Sequence, residues 1–329
     1  MKRLIFITVL ILMAYGISIG APTIQAQPYP NRNIQLVIPL VPGSALDING
    51  RLFAEELGKI LGAQVVVTNK PGASLTLGTD AVARSKKDGY TIAYTNTSAI
   101  VYARVLSPEI VPYDPVKDLE PLGLHCFFPL VGAVQESSPW KNFAELIVYA
   151  KKNPGKIRVA THGQGSIDHF NMEIIQSLTG AQFTHIPFKG GESVLTALLG
   201  GHVEVIYHAF SQVIPHVDAG KLRILLSFEP STMMGLDPSI PTVESVFGKD
   251  LGDIDVPFSV VAPAKTPEET IKILEQTLEK VVKDPEFMST VKRIYLIPSF
   301  VDGKTVMEKQ LPDKMTKIKA ILKKVGMIK

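Results

Sequence analysis

Residues 37–61, VIPLVPGSALDINGRLFAEELGKIL, restrict the fold more than any other stretch. Residues 34–39 read as a strand and 41–46 as a tight loop, and a helix is expected to open at Asp47. A short carboxylate there suits an N-cap, because the first backbone N–H groups of a helix have no partner within it. Phe53, Leu57, Ile60 and Leu61 recur at helical spacing and give one apolar face, with Gly62 as the stop. Pro42, Gly43, Ser44 and Ala45 are small, so a ligand can come close to the loop backbone. Such a loop is either a plain connection or an anion site, since N–H groups and the positive helix end converge on it.

The same strand–helix alternation continues to about His125, with strands at 65–68 and 91–94 and helices near 48–61 and 77–84. Alternation of this kind predicts parallel strands flanked by helices, with ligands at their carboxyl ends. Thr95, Asn96, Thr97 and Ser98 lie at such an end and serve equally as helix caps or as ligand contacts. A second unit begins near Phe127. Asn142 and Glu145 have capping-box spacing, and strands at 157–160, 183–186 and 203–207 each lead into a polar or glycine-bearing loop. Residues 229–255 are rich in Pro, Gly, Ser and Asp and read as a crossing segment, after which a strand at 258–261 rejoins the first unit. Three helices close the chain. The division expected is 27–125 with 250–329 as one α/β domain and 126–249 as a second, with a ligand cleft between them.

At 329 residues the chain is long enough for two cores. Residues 1–26 resemble an export signal: Lys2 and Arg3, then an uncharged apolar run over 4–19, then small or polar residues to Ala26. The run is shorter than a spanning helix needs, so cleavage before Gln27 is expected, with an uncleaved anchor as the alternative. The formal charge of +3 falls to +1 when Lys2 and Arg3 go with the leader, and no basic cluster with interleaved aromatics argues for nucleic acid. Cys126 stands alone, which excludes an internal disulfide and fits a buried apolar residue.

No catalytic constellation is visible. A G-x-S-x-G elbow is missing, and no glycine loop continues into G-K-[ST]. Ser166, Asp168 and His169 crowd within four residues, which leaves no room for the acid to orient the histidine from behind. His162, His169, His185, His202, His208 and His216 are scattered without carboxylates at metal-ligand spacing, so neither a metal nor a cofactor is expected. Polar loops at strand ends remain, offering neutral donors suited to holding a small anion.

A set of motifs in order resembles the tripartite tricarboxylate transporter substrate-binding proteins (the TctC or Bug receptors) over the whole chain from Tyr29. Residues 38–47, IPLVPGSALD, are similar to V-P-F-A-P-G-G-x-x-D, and 69–73, NKPGA, to N-[RK]-P-G-A. DGYT at 88–91, YDPVKD at 113–118, GQGS at 163–166 with His169, and IPFKG at 186–190 follow the same family pattern. The resemblance implies a periplasmic type II binding-protein fold, α/β with parallel-rich sheets, and no enzyme activity. It implies capture of a small di-, tri- or aromatic carboxylate by hinge closure, and delivery to one large and one small membrane subunit. A monomer is expected. An input module for a signalling partner is the alternative, and a hydrolase a remote one.

The site residues implied are Leu40, Gly43, Ser44, Ala45 and Asp47 in the first loop and Thr95, Asn96, Thr97 and Ser98 after the third strand. Gln164, Gly165, Ser166, Phe188, Lys189, Gly190 and His208 complete the set. Ser44 replaces a family glycine and Leu40 a family aromatic. The strand that usually ends in Asp-Asn ends in His208-Ala209, which removes the acid that would pair with an amino group. An amino-acid ligand is therefore not expected, and His208 is expected to donate to a second carboxylate or stack on a ring. Phe127 and Phe128 offer either an aromatic wall or core packing.

Overall fold

The computed structural model describes residues 28–106, 108–188, 191–248 and 257–324. The expected leader lies outside them. The chain builds two sheets. The first joins β1 (Ile34–Ile38), β2 (Val65–Asn69), β3 (Thr91–Asn96), β4 (Leu119–Phe127), β10 (Pro257–Pro263) and β11 (Ile297–Asp302) in the order β11-β4-β10-β3-β1-β2. The second joins β5 (Leu130–Gln135), β6 (Ile157–Thr161), β7 (Phe183–Pro187), β8 (Val205–Ala209) and β9 (Leu222–Ser227) in the order β7-β6-β8-β5-β9.

Each sheet has a parallel part where strands alternate with helices: β1 pairs with β2 and β3, and β6 with β7 and β8. The other strands pair antiparallel, so both sheets are mixed. The chain passes from β4 in the first sheet to β5 in the second within three residues, and returns from β9 to β10.

Helices α1 (Ala45–Leu61), α2 (Thr76–Ala83) and α3 (Ala103–Leu106) follow the first strands; a π-helical turn, Ser98–Tyr102, precedes α3. The second sheet carries α4 (Phe143–Lys152), α5 (Ile167–Thr179), α6 (Gly191–Leu199) and α7 (Phe210–Asp218). A short α8 (Val243–Phe247) lies in the return, and α9 (Glu268–Lys283), α10 (Pro285–Arg293) and α11 (Leu311–Lys324) end the chain. Asn142 caps α4, its Oδ1 accepting from Glu145 N at 3.0 Å, but Glu145 turns to Lys141 N, so the reciprocal half of the box is not made; Gly180 ends α5 in the left-handed region at φ 73°. Among the described residues no helix is long and apolar enough to cross a membrane.

The position of α1 sets the first loop. Phe53 and Leu57 pack under it with Ile34, Leu36 and Ile38 of β1. At Gly50 a Cβ would lie 2.6 Å from Ile38 Cδ1 and 3.0 Å from Tyr94 Cδ1, so a side chain there would have to push the end of Ile38 aside. Beneath it, Asn49 Oδ1 meets His125 Nε2 at 2.9 Å and the Tyr94 hydroxyl, inside a fully buried aromatic cluster. Burial pushes His125 down to about 3, so it is neutral. Cys126 is buried beside this cluster, as its composition suggests.

Candidate functional site

The first loop is braced from within. Ser44, not Asp47, is the N-cap of α1: its side chain accepts from Asp47 N at 3.2 Å, and the helix starts at Ala45. Both residue types cap well, but Ser44 has the extended backbone of a cap while Asp47 is already helical. Asp47 then reaches back. Its Oδ2 accepts from Gly43 N and from Arg51 Nε, each at 3.0 Å, and its Oδ1 accepts from Asn69 Nδ2 at 2.8 Å. Asn69 also donates to Leu40 O at 2.8 Å, tying the loop to the end of β2. Gly43 sits at φ 84°, where a side chain would be strained. Burial alone would raise the Asp47 carboxyl, but Arg51, Asn69 and the Gly43 N–H together hold it below the usual range.

The run at the end of β3, where the strand passes into the helical turn, divides between two sides. Asn96 and Ser98 face the space between the sheets, and Asn96 Oδ1 accepts from Ser98 N at 2.8 Å. Thr95 instead meets Thr79 Oγ1 at 3.2 Å, and Thr97 lines a separate groove with Lys309 and Gln310. The run therefore caps and faces the cleft at once, residue by residue.

The second loop, 162–166, repeats the plan of the first. Ser166 is the N-cap of α5, accepting from His169 N at 3.4 Å, and donates to Gly163 O at 2.7 Å. Asp168 reaches back to the start of the loop, where its Oδ2 accepts from His162 N at 2.7 Å and pairs with His162 Nδ1 at 2.9 Å. His169 Nδ1 accepts from Gly165 N at 3.1 Å, and its ring stacks on His185 at 4.5 Å. Ser166, Asp168 and His169 thus point to three different partners and form no nucleophile–base–acid chain.

His208 stands inside β8, its ring stacked on His162 with centroids 5.2 Å apart. Burial would keep His162 neutral, yet the Asp168 carboxylate beside it raises the ring above its ordinary value. The partner effect is mutual: burial would raise Asp168, and His162 holds it down. His208 has no such help. Burial, then the charge on His162, push it down to about 3, and it is neutral.

Two neighbouring spaces lie between the loops. An inner chamber of about 40 Å³ is lined by Asn96, Ser98, Phe128, Ser166, Asp168 and His208, among others. An outer one of about 330 Å³ is lined by Ser74, Ile110, Gly163, Gln164 and Phe188. Leu40, Leu75 and His162 border both.

The sequence profile described as the tripartite tricarboxylate transporter family receptor matches residues 50–327. The chain belongs to this family. A Bordetella bronchiseptica protein of the UPF0065 group is 33% identical over 281 residues, covering 85% of this chain and 82% of that one. The solved periplasmic binding protein BugD superposes with a TM-score of 0.82 at 26% identity, over 91% of this chain and 99% of BugD. An R. palustris protein solved with adipate gives 0.82 at 25%, over 91% and 98%. The type II periplasmic-binding-protein fold expected from the sequence is the fold found, and the similar solved structures include periplasmic binding proteins.

Within this receptor fold, Leu40, Asn96, Ser98, Gln164, Ser166, Phe188 and His208 line the two spaces. Gly43, Ser44, Ala45, Asp47 and Gly165 stand behind the lining as the frame of the loops. Lys189 and Gly190 lie outside the described residues. Phe128 both lines the chamber and packs on Phe258 at 5.2 Å, so wall and core are one role. Sequence reasoning missed Leu75, Ile110, and the His162–Asp168 pair as a unit. Contacts between the two sides are already made: Gln212 Nε2 donates to Gly43 O at 3.4 Å, Gln164 Nε2 to Glu109 Oε1 at 3.3 Å, and Ser74 Oγ to Gln164 O.

Proposed function

We propose that this receptor captures a small organic carboxylate between its two strand-end loops and hands it to the membrane subunits of a tripartite tricarboxylate-type transporter. The observation that supports this most is the polar lining of the two spaces, Asn96, Ser98, Gln164, Ser166 and His208, with the N-terminus of α5 set among them. Such an end favours an anion. The carboxylate would sit in the outer space, against Gln164, Phe188 and the loop backbones, with Leu40 and His208 deeper in. The family relative solved with adipate is consistent with an acid of this class.

Residues 27–125 with 250–329 and residues 126–249 would move as two bodies, hinged where the chain crosses between the sheets near Phe128 and in the return before β10. The direct contacts across the cleft, such as Gln212 to Gly43 O, describe a shut form. Ligand would favour that form because it contacts both sides, and the membrane subunits would read it. The reading is of a binding protein without turnover, acting as a monomer after export and removal of residues 1–26. Sequencing the N-terminus of the exported protein should give Gln27 first; Lys2 and Arg3 still in place would speak for an anchor.

A thermal-shift panel of dicarboxylates, tricarboxylates, aromatic acids and amino acids on the full chain tests the receptor reading. A ligand at a hundred times its dissociation constant adds about 2.7 kcal/mol, which raises the midpoint by several degrees at this size. One acid class should do so. No shift with any acid would sink the reading, and product formed from an acid would replace it with an enzyme.

A further inference from the structure

We propose that the inner chamber recognises a hydroxyl group, so that Asp168 and His208 select a hydroxy acid over the same acid without its hydroxyl. This rests on the receptor reading above and names the substrate class within it.

Polar atoms around the inner chamber are left over. Asp168 and His208 are each 1% exposed and both line the inner chamber. Asp168 Oδ2 is occupied by His162, but Oδ1 has no hydrogen-bond partner; the Ser166 side chain lies near the carboxyl and spends its proton on Gly163 O. Neither ring nitrogen of His208 has one; the Gln212 side chain lies near the ring without reaching hydrogen-bond geometry. A buried polar group without a partner has given up water for nothing. Native structures rarely keep several together unless water or a ligand answers them. At about 40 Å³ the chamber has room for about three waters.

The charge state of the walls decides what a ligand must bring. Asp168 is held ionised by His162, so its free oxygen only accepts. His208 is neutral, so one nitrogen donates and the other accepts. A second carboxylate offers acceptors alone. It would satisfy one donor on His208 and face the Asp168 oxygen as a like charge. An ammonium would satisfy Asp168 but leave the His208 N–H unanswered. It would also set a cation against the His162 ring, which already pairs with Asp168. A hydroxyl does both tasks without adding charge: it donates to Asp168 Oδ1 or the bare His208 nitrogen and accepts from the His208 N–H. The chamber is too small for a whole acid and shares Leu40, Leu75 and His162 as walls with the larger space. The carboxylate arms would stay there while the hydroxyl turns inward and displaces a water.

Titration calorimetry on the full chain with three matched sets tests this: malate, succinate and aspartate; 2-hydroxyglutarate, glutarate and glutamate; mandelate and phenylacetate. In the set that binds, the hydroxy acid should bind at least tenfold tighter than its deoxy partner and than the amino acid. In His208→Phe, which can still stack on His162 but has no hydrogen-bonding nitrogen, that ratio should fall below about threefold. Asp168→Asn keeps the shape and should also narrow the ratio, so a folding failure in one variant leaves the other to decide. A deoxy acid or an amino acid binding as tightly as the hydroxy acid overturns the proposal and leaves the receptor reading standing. A tenfold ratio that survives in both variants overturns it as well. Binding by none of these acids overturns this inference, and the receptor reading falls with it only if the wider thermal panel is silent as well.

Discussion

The two loops that face each other across the cleft are built on one plan and finished differently. In each, a glycine-bearing turn leads to a serine N-cap, Ser44 or Ser166, and an aspartate in the first helical turn reaches back to a loop N–H: Gly43 N to Asp47, His162 N to Asp168. In the first loop both aspartate oxygens are spent on the frame, through Gly43, Arg51 and Asn69. In the second, one oxygen is held by His162 and the other is left bare toward the chamber. One aspartate is a brace. Its counterpart is a brace with a hand free.

That contrast is sharpest in stability. Asp47→Ala strands the Gly43 N–H, Asn69 and a half-exposed Arg51, and should cost about 2–3 kcal/mol in urea unfolding. Asp168→Asn can still accept from His162 N and should cost clearly less. Equal losses would mean that both aspartates are spent on the frame.

Acid should find a weakness on both sides. His125 under the first loop, facing Tyr94, Asn49 and Cys126, and His208 in the second, facing His162 and Asp168, are both pushed down to about 3 by burial. Each binds its proton less readily folded than unfolded. Stability from each is complete above about 6.5 and is lost as pH falls toward 3, by up to about 1.4 kcal/mol per pH unit. His208→Phe should remove its share of that slope in urea melts between pH 6 and 4; an unchanged slope would show that His208 is not buried neutral. The His162–Asp168 pair works in the other sense at its upper end. His162 is raised, so its contribution is complete below 6.5 and is lost as pH rises through its higher folded value.

The shared part of the plan predicts equal effects. Ser44→Ala and Ser166→Ala should each cost about 1 kcal/mol, the worth of an N-cap. A much larger loss at Ser166 would point to work beyond capping. Smallest of all is Gln212→Ala, which removes one long bond to Gly43 O. It should change stability by only a few tenths of a kcal/mol while raising hydrogen exchange in the first loop.

How far the sequence revealed this differs between the loops for the same reason. The strand, small-residue loop and apolar helix face around 37–61 are local, and they were legible. The cap was placed three residues late because Ser44 and Asp47 are both good caps, although Ser-x-x-Asp is itself a capping-box spacing. At the second loop the sequence sets Asp168 beside Ser166 and His169. Its true partner, His162, is six positions upstream and comes near only because the loop folds back. Leu75 carried no signal at all. Ala73, Ser74 and Leu75 adopt φ values of 46°, 51° and 72°, a left-handed turn that side chains disfavour and that cleft contacts such as Ser74 to Gln164 O sustain. Strand β11 was missed because Pro298 interrupts a short, half-exposed edge.

The central claim is that one ligand joins the two loops, and hydrogen exchange reads that directly. With the acid that stabilises the full chain most in the thermal panel, the amides of 43–47 and of 162–168 should gain protection together. Protection confined to one loop, or absent from both at saturating acid, would contradict the account.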